Sequence, residues 1–250
     1  MTRIASHRGG TLEFGDSTPR GFAATARLAV EEVEFDVHPT LDGTIIVHHD
    51  AVLDRTTDRA GAIAEMTSAD VRAAVIDYGE GGHPLTLQEL CALYRPSTVN
   101  FRCEIKPDRN GIPYPDFVPR VIECLRAEGM LERTGFSSFL VASLDALAAA
   151  TERPRLWLVS PAVLRQLGTE AVIEVALAHG VPEIGVNIDT ADAELMAAIQ
   201  AAGLEFGVWA AHDMARLEKA FDLGVKVLTT DRPSLAIAVR ARHAEAEAGA

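Results

Sequence analysis

Short runs rich in β-branched and aromatic residues recur along the chain, separated by stretches with helical composition. The runs are Ile4–His7, Val33–Val37, Thr44–His48, Val99–Glu104, Phe139–Ser143, Leu156–Val159, Glu183–Asn187, Leu204–Trp209 and Val225–Thr229, nine in all. Strands alternating with helices predict parallel βα units. One pair breaks the rhythm, because only a short stretch around Leu41-Asp42-Gly43 separates Val33–Val37 from Thr44–His48. A parallel crossover takes a dozen or more residues, and Asp-Gly is a hairpin signal. Thr44–His48 is therefore expected to fold back antiparallel, outside the main sheet. Eight parallel runs remain, the number that closes an α/β (β/α)₈ TIM barrel.

Helix starts agree with this alternation. Thr18-Pro19, Ser160-Pro161 and Arg232-Pro233 place proline in a first turn, where its missing N–H costs little. Thr86 and Glu89 have capping-box spacing, and Gly224 suits the end of a helix beginning near Asp213. The second βα unit is long, from about His38 to Pro84, and contains the hairpin and the glycine-rich segment Gly79–Gly82. It is expected to form a small insertion after the second barrel strand, over the barrel mouth. The Ala/Glu-rich tail from about Arg240 is expected to fray. Residues 1–250 then form a single barrel domain with an insertion at about 38–84, a length typical of this fold.

Composition narrows the chemistry. Apolar residues make up 48% of the chain, enough for a sizeable core, and the net charge is −13. So acidic a surface repels nucleic acid and anionic membranes, so neither is expected as a partner. An anionic small-molecule substrate would need a local basic site or a bound cation. Cys91, Cys103 and Cys124 show no CxxC spacing, which fits a reduced, cytoplasmic chain. The N-terminal MTRIASHRGG has no long apolar run, so no signal peptide is expected. No stretch approaches 18 consecutive apolar residues, so no membrane span is expected, and nothing fixes an oligomeric state.

The stretch Glu34-Phe35-Asp36 carries the strongest chemical signal. Side chains alternate along a strand, so both carboxylates share one face and Phe35 takes the other. On an edge strand they would simply be exposed. On a barrel strand they point inward, where two like charges about 4 Å apart repel by roughly 4 kcal/mol at an effective dielectric near 20. A hard cation would offset that. Glu104-Ile105-Lys106 repeats the pattern on the next barrel strand, offering a third ligand in Glu104 and an anion contact in Lys106, or else an ordinary surface pair. His7-Arg8-Gly9 ends the first strand, where an imidazole suits acid/base work and a guanidinium fork suits phosphate. His48 and His49 end the antiparallel run, and either could swing over the mouth. Trp209, ending the seventh barrel strand, is a candidate apolar wall for a substrate's alcohol portion or a packing residue. Asp231 is read as a helix cap, and His38, His83, His179, His212 and His243 have no context that singles them out.

In order along the chain, HRGG (7–10), EFDV (34–37), TLDG (40–43), VHHD with LDRTTDRAG (47–61), LTLQEL (85–90), EIKPD (104–108), VW (208–209) and GVKVLTTDRP (224–233) resemble the glycerophosphodiester phosphodiesterase family. The ordered set spans almost the whole chain. The resemblance implies a (β/α)₈ barrel and hydrolysis of glycerophosphodiesters to glycerol 3-phosphate and an alcohol. It implies one divalent metal ion, Mg²⁺ or Ca²⁺, held by Glu34, Asp36 and Glu104. His7 and His49 would be the acid/base pair, Arg8 and Lys106 would grip phosphate, and the match favours His49 over His48.

Two segments depart from the pattern. Gly15-Asp16-Ser17-Thr18 stands where the family usually has Pro-Glu-Asn-Thr, and Trp209-Ala210-Ala211-His212 where it often has Trp-Thr-Val-Asn. These changes leave open a different small diester, such as a lysophospholipid or a sugar phosphodiester, or a barrel that binds phosphorylated ligands without turning them over.

Overall fold

The eight-residue strand β2 (Glu32–Pro39) is buried along its whole length, so both of its faces need partners. Phe35 meets Phe101 edge-on at 4.9 Å in the layer between sheet and helices, while Glu34 and Asp36 face the opposite way. In this computed structural model, which describes residues 1–77 and 81–248, β2 is one stave of a closed parallel barrel.

The remaining strands are β1 (Arg3–His7), β3 (Ile45–Val47), β4 (Leu85–Thr86), β5 (Asn100–Ile105), β6 (Thr134–Ser138), β7 (Arg155–Val159), β8 (Glu183–Asn187), β9 (Glu205–Trp209) and β10 (Val227–Thr230). The order β1-β10-β9-β8-β7-β6-β5-β2, closed by pairing of β1 with β2, is a ring of eight parallel strands. With helices between the strands, this is the (β/α)₈ TIM barrel read from the sequence. Strands β3 and β4 hang outside the ring: β3 runs antiparallel to β2, as the Asp42-Gly43 turn predicts, and β4 pairs antiparallel with β3. The main core fills the layer between barrel and helices, from Ile4 and Phe22 through Tyr94, Phe136 and Trp157 to Val239.

Between β3 and β4 the chain forms a 3₁₀ turn at Ile63–Glu65 and a short helix at Ser68–Arg72. Ile46, Leu53, Ile63, Val71 and Ala74 give this region a small core of its own. In the glycine-rich Gly79–Gly82 segment, Gly79 and Glu80 lie outside the described residues.

The helix signals mostly locate real ends. Thr18, Ser160 and Thr86 are N-caps, and Thr86 with Glu89 makes a full capping box. Gly224 ends the helix Met214–Leu223 in the left-handed conformation. Two readings are corrected. Phe139–Ser143 is not a strand: β6 lies earlier, at Thr134–Ser138, and a helix starts at Val141. The apolar Phe139-Leu140-Val141 run misleads because β6 turns Gly135 and Ser137 inward and so lacks an apolar inner face. The tail does not fray from Arg240. The last helix runs Pro233–Ala248, tied back where Arg240 donates to Glu31 at 2.8 Å and to the Ala29 carbonyl at 2.6 Å.

Candidate active site

Parallel pairing builds the centre of the site. Asp36 on β2 is the register partner of Glu104 on β5, and His7 on β1 is the partner of Glu34. Neighbouring strands lie about 4.8 Å apart, so inward side chains at these positions must meet. One carboxylate oxygen from each of Glu34, Asp36 and Glu104 lies within 4.8 Å of the others, and all three residues are buried. Lys106 Nζ sits 2.9 Å from Glu104 Oε1 and 3.4 Å from Asp36 Oδ1, and Arg8 Nε is 3.1 Å from Asp36 Oδ2. Even so, neither oxygen of Glu34 nor either oxygen of Asp36 accepts a hydrogen bond. Burial, followed by repulsion from Asp36 and Glu104, raises the Glu34 pKa well above the usual carboxylate range. Burial also raises Glu104. It would raise Asp36 as well, but Lys106, His49 and Arg8 together hold that group below its ordinary value.

Two imidazoles face this cluster in matching ways. His7 Nδ1 is bonded to Asp231 Oδ1, leaving Nε2 turned inward, 3.7 Å from Glu34 Oε2. Burial and the neighbouring Arg8 lower the His7 pKa, and Asp231 works against them. His49 Nδ1 donates to Asp50 Oδ1 at 2.5 Å, and its Nε2 accepts from Lys106 Nζ at 3.2 Å. In both rings a carboxylate holds the Nδ1–H, which leaves Nε2 as the nitrogen turned to the cluster. His48 points elsewhere. It is buried, with Nδ1 on the Asp50 carbonyl at 2.8 Å and Nε2 on Thr56 Oγ1 at 3.0 Å.

The loops that carry these groups are braced from below. Arg8 has φ 50°, a left-handed conformation that costs a non-glycine residue energy and recurs at functional sites. Next to it Gly9 must be glycine, because a Cβ there would come within 2.9 Å of the Phe22 backbone nitrogen. Asp16, in the segment that departs from the family pattern, is buried and joins Arg8 Nη1 at 3.2 Å to Arg55 Nη2 at 3.1 Å. Arg55 Nε then reaches Asp50 Oδ2 at 2.6 Å, so one chain of ion pairs links Arg8 to the carboxylate that holds His49. The departure therefore keeps a carboxylate beside Arg8.

His7, Arg8, Glu34, His49, Glu104, Lys106 and Trp209 line one cavity of about 230 Å³ at the C-terminal ends of the barrel strands, where these barrels keep their chemistry. Asp36 is reached through its contacts rather than as a lining residue. Opposite the carboxylates the wall is apolar, made by Phe139, Leu158, Trp209 and Ala210. Trp209 donates from Nε1 to the Gly185 carbonyl at 3.3 Å and meets Phe139 edge-on at 5.8 Å. The larger hollow of about 770 Å³ between the helices at 161–178 and 193–201 contains none of these groups.

The sequence reading misses two residues of the site. Asp231 is not a helix cap, since its carboxylate turns inward to His7, and strand parity with Thr229 was the available signal. His212 accepts from the Asp231 backbone N–H at 3.0 Å and lies 3.5 Å from Asp231 Oδ2, with its ring stacked 6.1 Å from that of His7. No local signal marks His212, because it follows the end of β9 and meets His7 only through the closure of the barrel.

Known proteins share this sequence pattern and this fold. The model of the glycerophosphoryl diester phosphodiesterase family matches residues 7–235. A glycerophosphodiester phosphodiesterase of Caldanaerobacter subterraneus subsp. tengcongensis is 27% identical, over 94% of this chain and 96% of its own length. A crystal structure from Agrobacterium tumefaciens C58 assigned to the glycerophosphoryl diester phosphodiesterases superposes with a TM-score of 0.97 at 68% identity, covering 98% of this chain and 99% of that one. A phosphodiesterase from Oleispira antarctica, solved in complex with its product sn-glycerol-3-phosphate, shares the fold at a TM-score of 0.78 and 20% identity, over 96% of each chain. The chain belongs to the glycerophosphoryl diester phosphodiesterase family, whose members are phosphoric diester hydrolases.

Proposed function

We propose that this chain hydrolyses glycerophosphodiesters to glycerol 3-phosphate and an alcohol, using one divalent cation, Mg²⁺ or Ca²⁺. The observation that carries the reading is a buried triad of carboxylates faced by two imidazoles and two fixed cations around a single cavity. The donor set fits such an ion. Four buried oxygens, both of Glu34 and both of Asp36, accept no hydrogen bond, and uncompensated buried charge is costly. An all-carboxylate set favours Mg²⁺ or Ca²⁺ over Zn²⁺. Held by Glu34, Asp36 and Glu104, the ion supplies neutralisation of the charge that develops on the phosphate oxygens.

The chain's own groups do the rest. Arg8 and Lys106 grip the phosphate, Arg8 through its planar fork and Lys106 as a point charge. One imidazole of the pair His7 and His49 takes the proton from the nucleophile, either water or a neighbouring glycerol hydroxyl; in the second case the attack closes a cyclic phosphate that water then opens to glycerol 3-phosphate. The other gives a proton to the leaving alkoxide. Each acts at Nε2, while Asp231 and Asp50 hold the Nδ1–H and stabilise the imidazolium form. Trp209, with Phe139 and Leu158, receives the alcohol portion and keeps water from that side.

Residues 1–250 act as one barrel domain whose segment from about 38 to 84 is an insertion carrying His49. Its partner is a small phosphodiester, and its setting is cytoplasmic, in keeping with three unpaired cysteines. Among the described residues no helix is long and apolar enough to cross a membrane. The test is release of sn-glycerol 3-phosphate from glycerophosphocholine with and without Mg²⁺ or Ca²⁺. Turnover should need the ion and cease in chelator. Absence of the product, alongside turnover of another diester, would overturn the substrate assignment.

A further inference from the structure

The cavity continues inward beyond the groups assigned so far. Ser137 on β6 is the register partner of Glu104 on β5, so it stands beside the acid cluster on the side away from Asp36. It comes two residues before Phe139, one layer deeper on the same inner face. The residue is 0% exposed to bulk solvent, it lines the cavity, and its Oγ has no hydrogen-bond partner. Its chain neighbour Ser138 shows the ordinary arrangement, donating to the Ile105 carbonyl at 2.8 Å. Buried hydroxyls are as a rule hydrogen-bonded, so Ser137 Oγ faces a position that a ligand group can fill.

The surroundings say which kind of group. Arg102, one layer below Glu104, also lines the cavity, but Glu32 at 2.6 Å and Glu183 at 3.5 Å already match its charge. Glu104 is adjacent, so an anion at this depth would be repelled. A neutral hydroxyl suits the position, because it accepts from Ser137 Oγ–H while donating its own proton to a carboxylate oxygen. Thr229 lines the cavity from β10, one layer below Asp231, and adds a second hydroxyl to the inner wall.

We propose that this inner wall is a hydroxyl-recognising subsite, in which Ser137 Oγ hydrogen-bonds a hydroxyl of the polyol retained on the phosphate. Ser137 is then a specificity-determining residue that favours glycerol-type esters over simple alkyl esters. The identity of the polyol rests on the hydrolytic reading above.

The test compares binding of sn-glycerol 3-phosphate and of methyl phosphate, which has no hydroxyl on its alkyl group, by calorimetry in the presence of Mg²⁺. Wild-type protein should bind sn-glycerol 3-phosphate the more tightly. In Ser137→Ala its Kd should rise about 3–10-fold, the scale of one neutral hydrogen bond, while that of methyl phosphate stays within about twofold. The methyl phosphate value also shows that the variant is folded and its phosphate grip intact. An unchanged Kd for sn-glycerol 3-phosphate overturns the proposal. So does equal weakening of both ligands, which would make Ser137 a support for Glu104 instead. Turnover of glycerophosphocholine, measured separately, decides the hydrolytic reading alone.

Discussion

The two halves of the barrel mouth are built on different principles. β1, β2 and β5 contribute His7, Arg8, Glu34, Asp36, Glu104 and Lys106, all charged or titratable and all in contact with one another or with a bracing carboxylate. The arc from β6 to β9 contributes Phe139, Leu158, Trp209 and Ala210, which make few directional contacts. Phosphate is common to all substrates of such a site, so the half that meets it can be fixed in detail. The alcohol varies, and an apolar wall discriminates weakly among alcohols, about 10–200-fold per added or missing methylene. The division also separates where rate should be lost from where selectivity should be lost.

Variants ought to follow that division. The largest effect is expected at the acid cluster: Glu34→Gln or Asp36→Asn should lower kcat/KM about 10³-fold or more, because phosphate charge then goes uncompensated. Steady-state rates at saturating Mg²⁺ check this, and a loss below about tenfold would mean the cluster is only structural. Next, His7→Ala and His49→Ala should each cost about 10²–10⁴-fold in kcat, as for a general acid or base. Near-normal turnover by either variant would remove that residue from the chemistry. Across the mouth, Trp209→Ala should cost only about tenfold and mainly through KM, with a size that depends on the alcohol. A uniform drop in kcat over a panel of alcohols would show instead that the apolar half serves the chemistry.

The smallest effect concerns His48, which pins the segment bearing His49. Burial lowers its pKa below the ordinary value near 6.5, so the folded protein keeps it neutral where the unfolded chain takes up a proton. Its contribution is present above that value and is lost as pH falls from about 6.5 towards the folded pKa. His48→Gln should therefore flatten the fall in the urea midpoint between about pH 7.5 and 5. An unchanged slope would contradict the buried neutral form.

How much the sequence revealed also differs between the halves. The charged half lies in three short stretches, and strand parity is enough to aim Glu34, Asp36 and Glu104 inward once the barrel is accepted. The hairpin at Asp42-Gly43 follows from turn chemistry. The apolar half was harder to read, since β6 turns Gly135 and Ser137 inward and is short of the apolar alternation that marks a strand. Asp231 reaches His7 across 224 residues of sequence, a pairing that only closure of the ring creates. Alternation says that His48 and His49 differ but not which one faces the mouth, so only the resemblance to the family favoured His49 before the fold placed it at the cavity.

The direct test of the central claim is a calorimetric titration of the metal-free protein with Mg²⁺ and with Ca²⁺, repeated on Glu34→Gln. One equivalent of at least one ion should bind, with affinity reduced about tenfold or more in the variant while its circular dichroism is unchanged. Absence of saturable binding by the wild type, or equal affinity in Glu34→Gln, would contradict a cation held by the three carboxylates.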